Sequence, residues 1–268
     1  MRLVRRVGLV RGTSRDPTSS ARQVVAAIEF AGEVTLPTGL QFAGTAVGGL
    51  SGLVYDPSNE TYYALSGDSN REAAPRLYTL TIDTNDGTLG EGEVQFTGVV
   101  TLTGSADEPL AVGSFDRAGI ALAPDGQLYI SWEGDPEAAP PDGPFIGRFS
   151  PDGRQAGLLT VPPKYTPLMS DTTPIAGIRH NLGLRSLTVT PDGRSLYAAL
   201  ENALVQDGPV DSSEFVGLAR ILDLDLATGE PAAEFVYEVD PAAQPAQPVG
   251  AESTNALVGL LATDNNGS

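Results

Sequence analysis

Cysteine is absent from this 268-residue chain, which removes disulfides, zinc–thiolate sites and thiol nucleophiles in one step. Composition therefore leaves the redox compartment open. Basic residues are scarce: 16 Lys and Arg face 34 Asp and Glu, a formal net charge of −18, so a nucleic-acid backbone meets no electropositive surface. No nucleic-acid partner is expected; cations or neutral ligands are favoured, although the same charge also serves solubility alone. No run approaches the roughly 18 apolar residues of a membrane helix, so no integral membrane segment is expected. The N-terminus, MRLVRRVGLVRGTSRDPTSS, opens basic like a secretion signal but lacks the apolar run of about 7–15 residues that should follow. Residues 1–27 read as a disordered leader. Helical periodicity is weak past Ala31, and the best helical stretch, residues 20–30, has Val24, Val25 and Ile28 at mixed spacing.

Glycine (31) and proline (21) are plentiful and evenly spread, as suits short strands joined by tight turns. The stretch NLGLRSLTVTPDGRSLYAALENALVQDGP, residues 181–209, reads as a strand, a Pro191-Asp192-Gly193 turn, a second strand and an acidic exit at Glu201-Asn202. The same grammar occupies residues 118–135 and 51–68. Ser51, Ala118 and Arg185 open the first strand of each copy and fall 67 residues apart, and a fourth copy begins near Gly259 and is cut off by the C-terminus. Strands are expected near 50–55, 61–66, 77–82 and 94–102; near 118–123, 127–132, 145–150 and 156–161; and near 185–190, 195–200, 217–226 and 233–239. Four antiparallel strands per repeat make a propeller blade. The expectation is an all-β propeller over residues 28–268, with about three four-stranded blades and the start of a fourth in an open, incomplete ring. Long segments between second and third strands, at 67–76, 133–144 and 201–216, are the lengths at which loops carry function or disorder. The Pro-rich run at 241–248 reads as a connection between blades rather than a domain boundary.

In a propeller the first strand of each blade lines the central channel. Ser51, Ala118, Arg185 and Gly259 should then ring one mouth, together with Asp68, Glu133, Asp135, Glu201 and Asn202. Carboxylates converging from several blades suit a hard cation such as Ca²⁺, which polarises a phosphoryl or carbonyl oxygen and acidifies bound water. Equally, they read as solvated residues at strand ends. His180, the single histidine, lies just before a first strand and is placed either as a general base or as an ordinary loop residue. No G-x-S-x-G elbow occurs; Gly48-Gly49-Leu50-Ser51-Gly52 enters a strand instead of a helix. Asp223 and Asp225 in ILDLDL share one solvent-facing side of an outer strand. Arg71, Arg76 and Arg148 are available to a phosphate or to neighbouring acids. Trp132 reads as packing between blades.

The stretches GGLSGLVYDPSNETYYALSGDSN, PDGQLYISWEGD and NLGLRSLTVTPDGRSLYAALENALVQDGP together resemble the phytase-like, esterase-like propeller family, and FVGLARILDLDLATGEPAAEFVYEVD resembles the segment that follows in it. The resemblance covers about 28–268. It implies a calcium-assisted hydrolase of phosphate or carboxylic esters, a small ester or phosphoester as its ligand, and a periplasmic or extracellular location. Positions that match are Asp68, Asp116, Glu133, Gly134, Asn181, Glu201, Asn202, Gln206 and Asp207. Ala118, Arg185 and Gly259 stand where relatives carry Glu, and Ser66-Gly67-Asp68-Ser69 replaces Ser-Asp-Asp-Arg. On this basis His180 is the expected base; Asn181, Arg185, Asn202 and Asp207 are expected to bind substrate; and Asp68, Glu133, Asp135 and Glu201 are expected metal ligands. The family continues beyond the last residue, so a C-terminal truncation is expected. The alternative is a catalytically inactive propeller fragment serving as a binding module. Oligomeric state is not set by these features.

Overall fold

The computed structural model describes residues 30, 32–67, 73–112, 118–171, 173–210, 216–241 and 255–265. The expected leader, nearly all of the helical stretch at 20–30 and most of the Pro-rich run lie outside them. A small hairpin, β1 (Gln41–Phe42) and β2 (Thr45–Ala46), precedes three four-stranded antiparallel sheets. The first is β3 (Leu50–Asp56), β4 (Thr61–Ser66), β5 (Arg76–Ile82) and β6 (Val94–Thr101). The second is β7 (Ile120–Leu122), β8 (Leu128–Trp132), β9 (Phe145–Phe149) and β10 (Gln155–Leu159). After a second hairpin, β11 (Leu168–Ser170) and β12 (Thr173–Ala176), the third is β13 (Leu184–Val189), β14 (Ser195–Ala203), β15 (Gly217–Asp225) and β16 (Glu230–Val239). Strands pair in chain order within each sheet, which makes the molecule all-β and propeller-like. No helix among the described residues is long and apolar enough to cross a membrane.

Turn chemistry explains the registers. At Pro191-Asp192-Gly193 the Asp192 carboxylate accepts the Thr190 hydroxyl at 2.7 Å and the Arg194 N–H at 3.1 Å. Gly193 takes φ +71°, a left-handed conformation that glycine adopts without strain. The matching turn in the first sheet has no glycine. There the Asp56 carboxylate accepts the Ser58 N–H and the Asn59 side chain, and Glu60 carries the positive φ.

The core lies between the sheets. Alternation along β8 sends Leu128 and Ile130 toward Tyr63, Leu65 and Leu77 of the first sheet, while Tyr129 turns toward Leu187, Leu196 and Leu222 of the third. The second sheet is thus buried on both faces, which is why β8 reads as a nearly continuous apolar run. Trp132 packs on Phe145 in the layer between the first and second sheets, 5.5 Å between ring centroids. Each large apolar side chain buried this way contributes roughly 1.5–3 kcal/mol. The outer face of the first sheet is covered by the β1–β2 hairpin, where Phe42 meets Tyr78 and Phe96 edge-on or tilted.

The structure departs from the expected strand list at a few places. Neither hairpin outside the sheets was foreseen. β14 continues through a register shift to Ala203, so Glu201 and Asn202 belong to the strand rather than to a loop beyond it. Residues 255–263 form no ladder. They run beside β13, where Ser186 Oγ donates to the Leu257 carbonyl at 3.1 Å and Ala262 N–H donates to Thr188 Oγ1 at 2.9 Å. Leu257, two residues before the expected Gly259, makes the contact with the inner strand.

The first strands approach one another closely. β7 packs against β3 on one side and β13 on the other. A Cβ on Gly119 would stand 2.1 Å from the Arg185 carbonyl oxygen, and one on Gly52 would stand 2.8 Å from Ile120 Cγ2. Backbone cannot yield there as a flexible side chain can. Gly119→Ala is expected to cost about 3 kcal/mol, read as a lower urea midpoint with an unchanged slope. An unchanged midpoint would refute the close packing of β7 on β13.

Candidate functional site at the rim

The first and third repeats break their ladders at the same position. In the first sheet Leu50 pairs with Ser66 and Gly52 with Leu65, leaving Ser51 as the extra residue. In the third, Leu184 pairs with Leu200 and Ser186 with Ala199, leaving Arg185. In the second, the ladder begins at Ile120, Gly119 exchanges bonds with Ser131, and buried Ala118 sits just ahead. A bulge bends its strand and re-aims the side chain it carries. Ser51 and Arg185 are therefore positioned by the same backbone device, and Ala118 holds the corresponding place in the second sheet without a register shift.

The facing strands supply the acids. Ile130, Ala198 and Ala64 are equivalent by pairing with Ile120, Leu187 and Leu53, so Glu133, Glu201 and Gly67, each three residues on, are equivalent too. Gly67 and Glu201 make the same bond, N–H to the carbonyls of Gly49 and Gly183, both at 3.1 Å. Glu133 and Glu201 are both buried. Gly183 packs directly on the Glu133 backbone, since a Cβ there would stand 2.4 Å from the Glu133 carbonyl oxygen. Glu133, Gly183, Arg185 and Glu201 form one contiguous patch across two sheets.

Within that patch Arg185 Nη1 forms an ion pair and hydrogen bond with Glu201 Oε1. The carboxylate side chain is 5% exposed and the guanidinium side chain 28% exposed, so solvent reaches the pair from the arginine side. Asn202 is buried and committed: its Nδ2 donates to the Asn255 carbonyl at 3.2 Å, and its Oδ1 accepts the Ala203 N–H at 2.8 Å.

The other expected site residues are placed apart from this pair. Asp135 closes its own loop, exchanging backbone bonds with Asp142 at 3.1 and 2.9 Å while its carboxylate accepts the Glu137 N–H. His180 is exposed, with Nδ1 3.8 Å from Glu137 Oε2. Asn181 occupies the left-handed region at φ +59° in the turn before β13. Asp68 and Asp116 lie outside the described residues, as does Arg71. Arg76 donates through Nε to the Ala74 carbonyl, and Arg148 lies beside Tyr129 in a cleft of about 250 Å³ between the second and third sheets. Asp225 caps the Ala227-Thr228-Gly229 turn.

Asp207 belongs to a network that no sequence pattern announced. Arg220 grips it with two bonds of 2.5 and 2.6 Å and reaches Glu234 Oε1 at 3.1 Å. Tyr165 donates to Glu234 at 2.7 Å, and Lys164 pairs with the other carboxylate oxygen. Burial pushes the Glu234 carboxyl up, but hydrogen bonds from Lys164, Tyr165 and Arg220 outweigh it and hold the group below its ordinary value. Burial pushes the Tyr165 hydroxyl well up, and its bond to Glu234 adds to that. Gln206, next in chain, accepts the Gly177 N–H at 2.8 Å and donates to the Lys164 carbonyl. Arg179 donates to the carbonyls of Ala203 and Gly208. The partners are up to 70 residues apart, and only the opposite charges of Arg220 and Glu234 on neighbouring outer strands hint at them.

Among the described residues no three His, Asp or Glu side chains come together to hold a metal ion. Glu201 already has a cation beside it. The described rim therefore does not by itself fit calcium.

Stacked four-stranded antiparallel sheets whose strands pair in chain order define a propeller-like all-β protein. The profile of the phytase-like family, described as esterase-like activity of phytase, matches residues 45–268, and the chain belongs to that family. It is 25% identical over 199 residues to an uncharacterized secreted protein of Arthroderma benhamiae, a match over 61% of this chain and 37% of that protein. The chain thus spans less than half the length of that curated relative. Solved structures that resemble it include Kuenenia stuttgartiensis hydrazine synthase (TM-score 0.39, 14% identity, 71% of this chain and 38% of that one). An endo-arabinase from Bacteroides thetaiotaomicron gives a TM-score of 0.37 at 12% identity, over 75% of this chain and 60% of that one.

The Glu234 network carries a pH signature. A carboxyl whose folded pKa is depressed adds stability that is present above its unfolded value, near 4.5, and is lost as pH falls through the folded value. Glu234→Gln should lower the melting temperature at neutral pH, with the gap to wild type closing as the pH drops below about 4.5. A gap that stays constant to pH 3 would sink this assignment.

Proposed function

We propose that this chain hydrolyses small esters, phosphate or carboxylic, at the rim formed by the second and third sheets. One observation carries the reading: two buried glutamates, Glu133 and Glu201, hold equivalent posts in consecutive repeats beside a partly exposed arginine. A glutamate carboxylate accepts a proton from an attacking water as the water oxygen bonds to the acyl or phosphoryl centre, and the departing alkoxide takes a proton as it leaves. Glu133 is assigned the first task, with Glu201 bonded to Arg185 beside it. The guanidinium carries five N–H donors, and those beyond the Glu201 contact suit the ester's oxygens as negative charge develops. Asn202, locked between Ala203 and Asn255, serves the shape of the rim. Calcium enters this reading only through Asp68 and its neighbours, and no step is routed through it. Membership in the family supports the reaction class, and the secreted relative supports a location outside the cytoplasm.

A second reading is favoured by one feature: Glu201 is tied to Arg185, and the corresponding position in the second sheet offers only Ala118. A rim so altered suits ligand binding without turnover.

Purified protein should be assayed on an aryl phosphate and an aryl acetate, each with excess calcium and with chelator. The expected outcome is turnover of at least one substrate that falls by roughly 100-fold or more in Glu133→Gln. No turnover of either substrate in either condition overturns the hydrolase reading and leaves the binding one.

A further inference from the structure

We propose that Arg185 is the resident cation of the third sheet's rim, filling at Glu201 the charge role that a divalent metal would otherwise fill. The inference builds on the rim as the working end, but its test does not use turnover.

A carboxylate as buried as Glu201 is held in its charged form only beside a compensating cation. The cation here is covalent. Arg185 is the bulge residue of β13, and the bulge lifts it out of the ladder opposite Leu200, the residue immediately before Glu201. Its guanidinium bonds Glu201 Oε1 and keeps part of its surface in solvent. The equivalent bulge residue of the first sheet is Ser51 and the corresponding residue of the second is Ala118, neither of which carries charge, so the device is particular to this repeat. Around Glu201 the backbone is also committed: its N–H donates to Gly183 and its carbonyl accepts from Leu257. A divalent ion approaching this carboxylate would meet a positive group already bonded to it and would find no cluster of three acids among the described residues. The structure thus assigns Glu201 to an internal ion pair rather than to metal ligation.

Thermal unfolding of the full chain and of Arg185→Met, Glu201→Gln and the double variant tests this, each in millimolar calcium and in chelator at matched ionic strength. Arg185→Met strands a buried carboxylate and should lose roughly 5–10 °C. Glu201→Gln should lose less, because its orphaned guanidinium reaches solvent. The double variant should recover at least half of the Arg185→Met loss, and if Arg185→Met alone fails to fold, folding of the double variant reports the same coupling. Any calcium-induced rise in wild type should persist unchanged in Glu201→Gln. A calcium response that Glu201→Gln abolishes would make Glu201 a metal ligand and overturn the proposal. A double variant no more stable than Arg185→Met would also overturn it, by showing that the two side chains are not coupled.

Discussion

A four-stranded sheet with two apolar faces has no stable existence in water until both faces are covered, and this constraint organises the chain. The second sheet meets it by lying between the first and the third, so that Ile120 and Ala121, adjacent on β7, belong to different cores. The first sheet covers its other face with the β1–β2 hairpin. On the third sheet the corresponding face is partly polar, with Ser186 and Thr188 buried on β13 and Thr190 buried just past its end, the first two bonded to the segment at 255–265. Stacking costs conformational freedom at the inner strands, where the chains come close enough that a methyl group would strike a carbonyl. Glycine at 52 and 119 is the consequence of that crowding rather than of turn geometry.

Stacking also determines what can be presented at the rim. Once β3, β7 and β13 are adjacent, the bulges of β3 and β13 fall at corresponding heights, and the residues across from them on β4 and β14 come with them. Glu133 and Glu201 are buried because the neighbouring sheet closes over them; Gly183 rests on the Glu133 backbone for this reason. Charge brought into such a place has to be matched, and the chain matches it unequally. The outer-strand cluster of Asp207, Arg220, Glu234, Tyr165 and Lys164 is reciprocal, every member bonded to another, and it ties the two short 3₁₀ turns at Pro163–Tyr165 and Val205–Asp207 to the third sheet. The rim pair has only two members and remains open on one side. Rigid support beside a partly open charged pair is the arrangement a binding or catalytic rim requires.

The strands were legible because period-two alternation and Asp-Gly turns are local signals that survive without tertiary context. The expected and observed limits of β3, β4, β9 and β13 agree to within one residue. The two hairpins outside the sheets were not legible, since β1 and β2 have two residues each and β11 and β12 only three and four, too few to show a period. Glu201 and Asn202 were expected just past a strand end; the register shift after Ala199 that keeps them inside β14 depends on pairing with β15. The chemistry of the rim was half legible. Repeat alignment singled out Ser51, Ala118 and Arg185 as equivalent, but equivalence of position says nothing of partner, and the bonding of Arg185 to Glu201 is a tertiary fact. Asp207 shows the reverse case: the family resemblance suggested substrate, whereas Arg220, from a strand whose alternation gave no special signal, occupies both its oxygens.

Two neighbouring positions in each repeat obey different rules, and the difference bears on how such a rim changes its chemistry. Residues 52, 119 and 186 are Gly, Gly and Ser, because they face the next inner strand at close range; Ser186 is the one side chain tolerated, where residues 255–265 stand far enough off for its hydroxyl to bond Leu257. Residues 51 and 185, one step earlier, are Ser and Arg, because the bulge frees them from the ladder, whereas Ala118, their counterpart in the second sheet, is buried in the core between the first and second sheets. A substitution at the first set disturbs the stacking that every sheet depends on. A substitution at the second leaves stacking intact and alters only the charge and reach of the rim. The bulge therefore separates stability from chemistry within two adjacent residues, and a single change at position 185 places a fixed cation beside a buried acid without disturbing how the sheets pack.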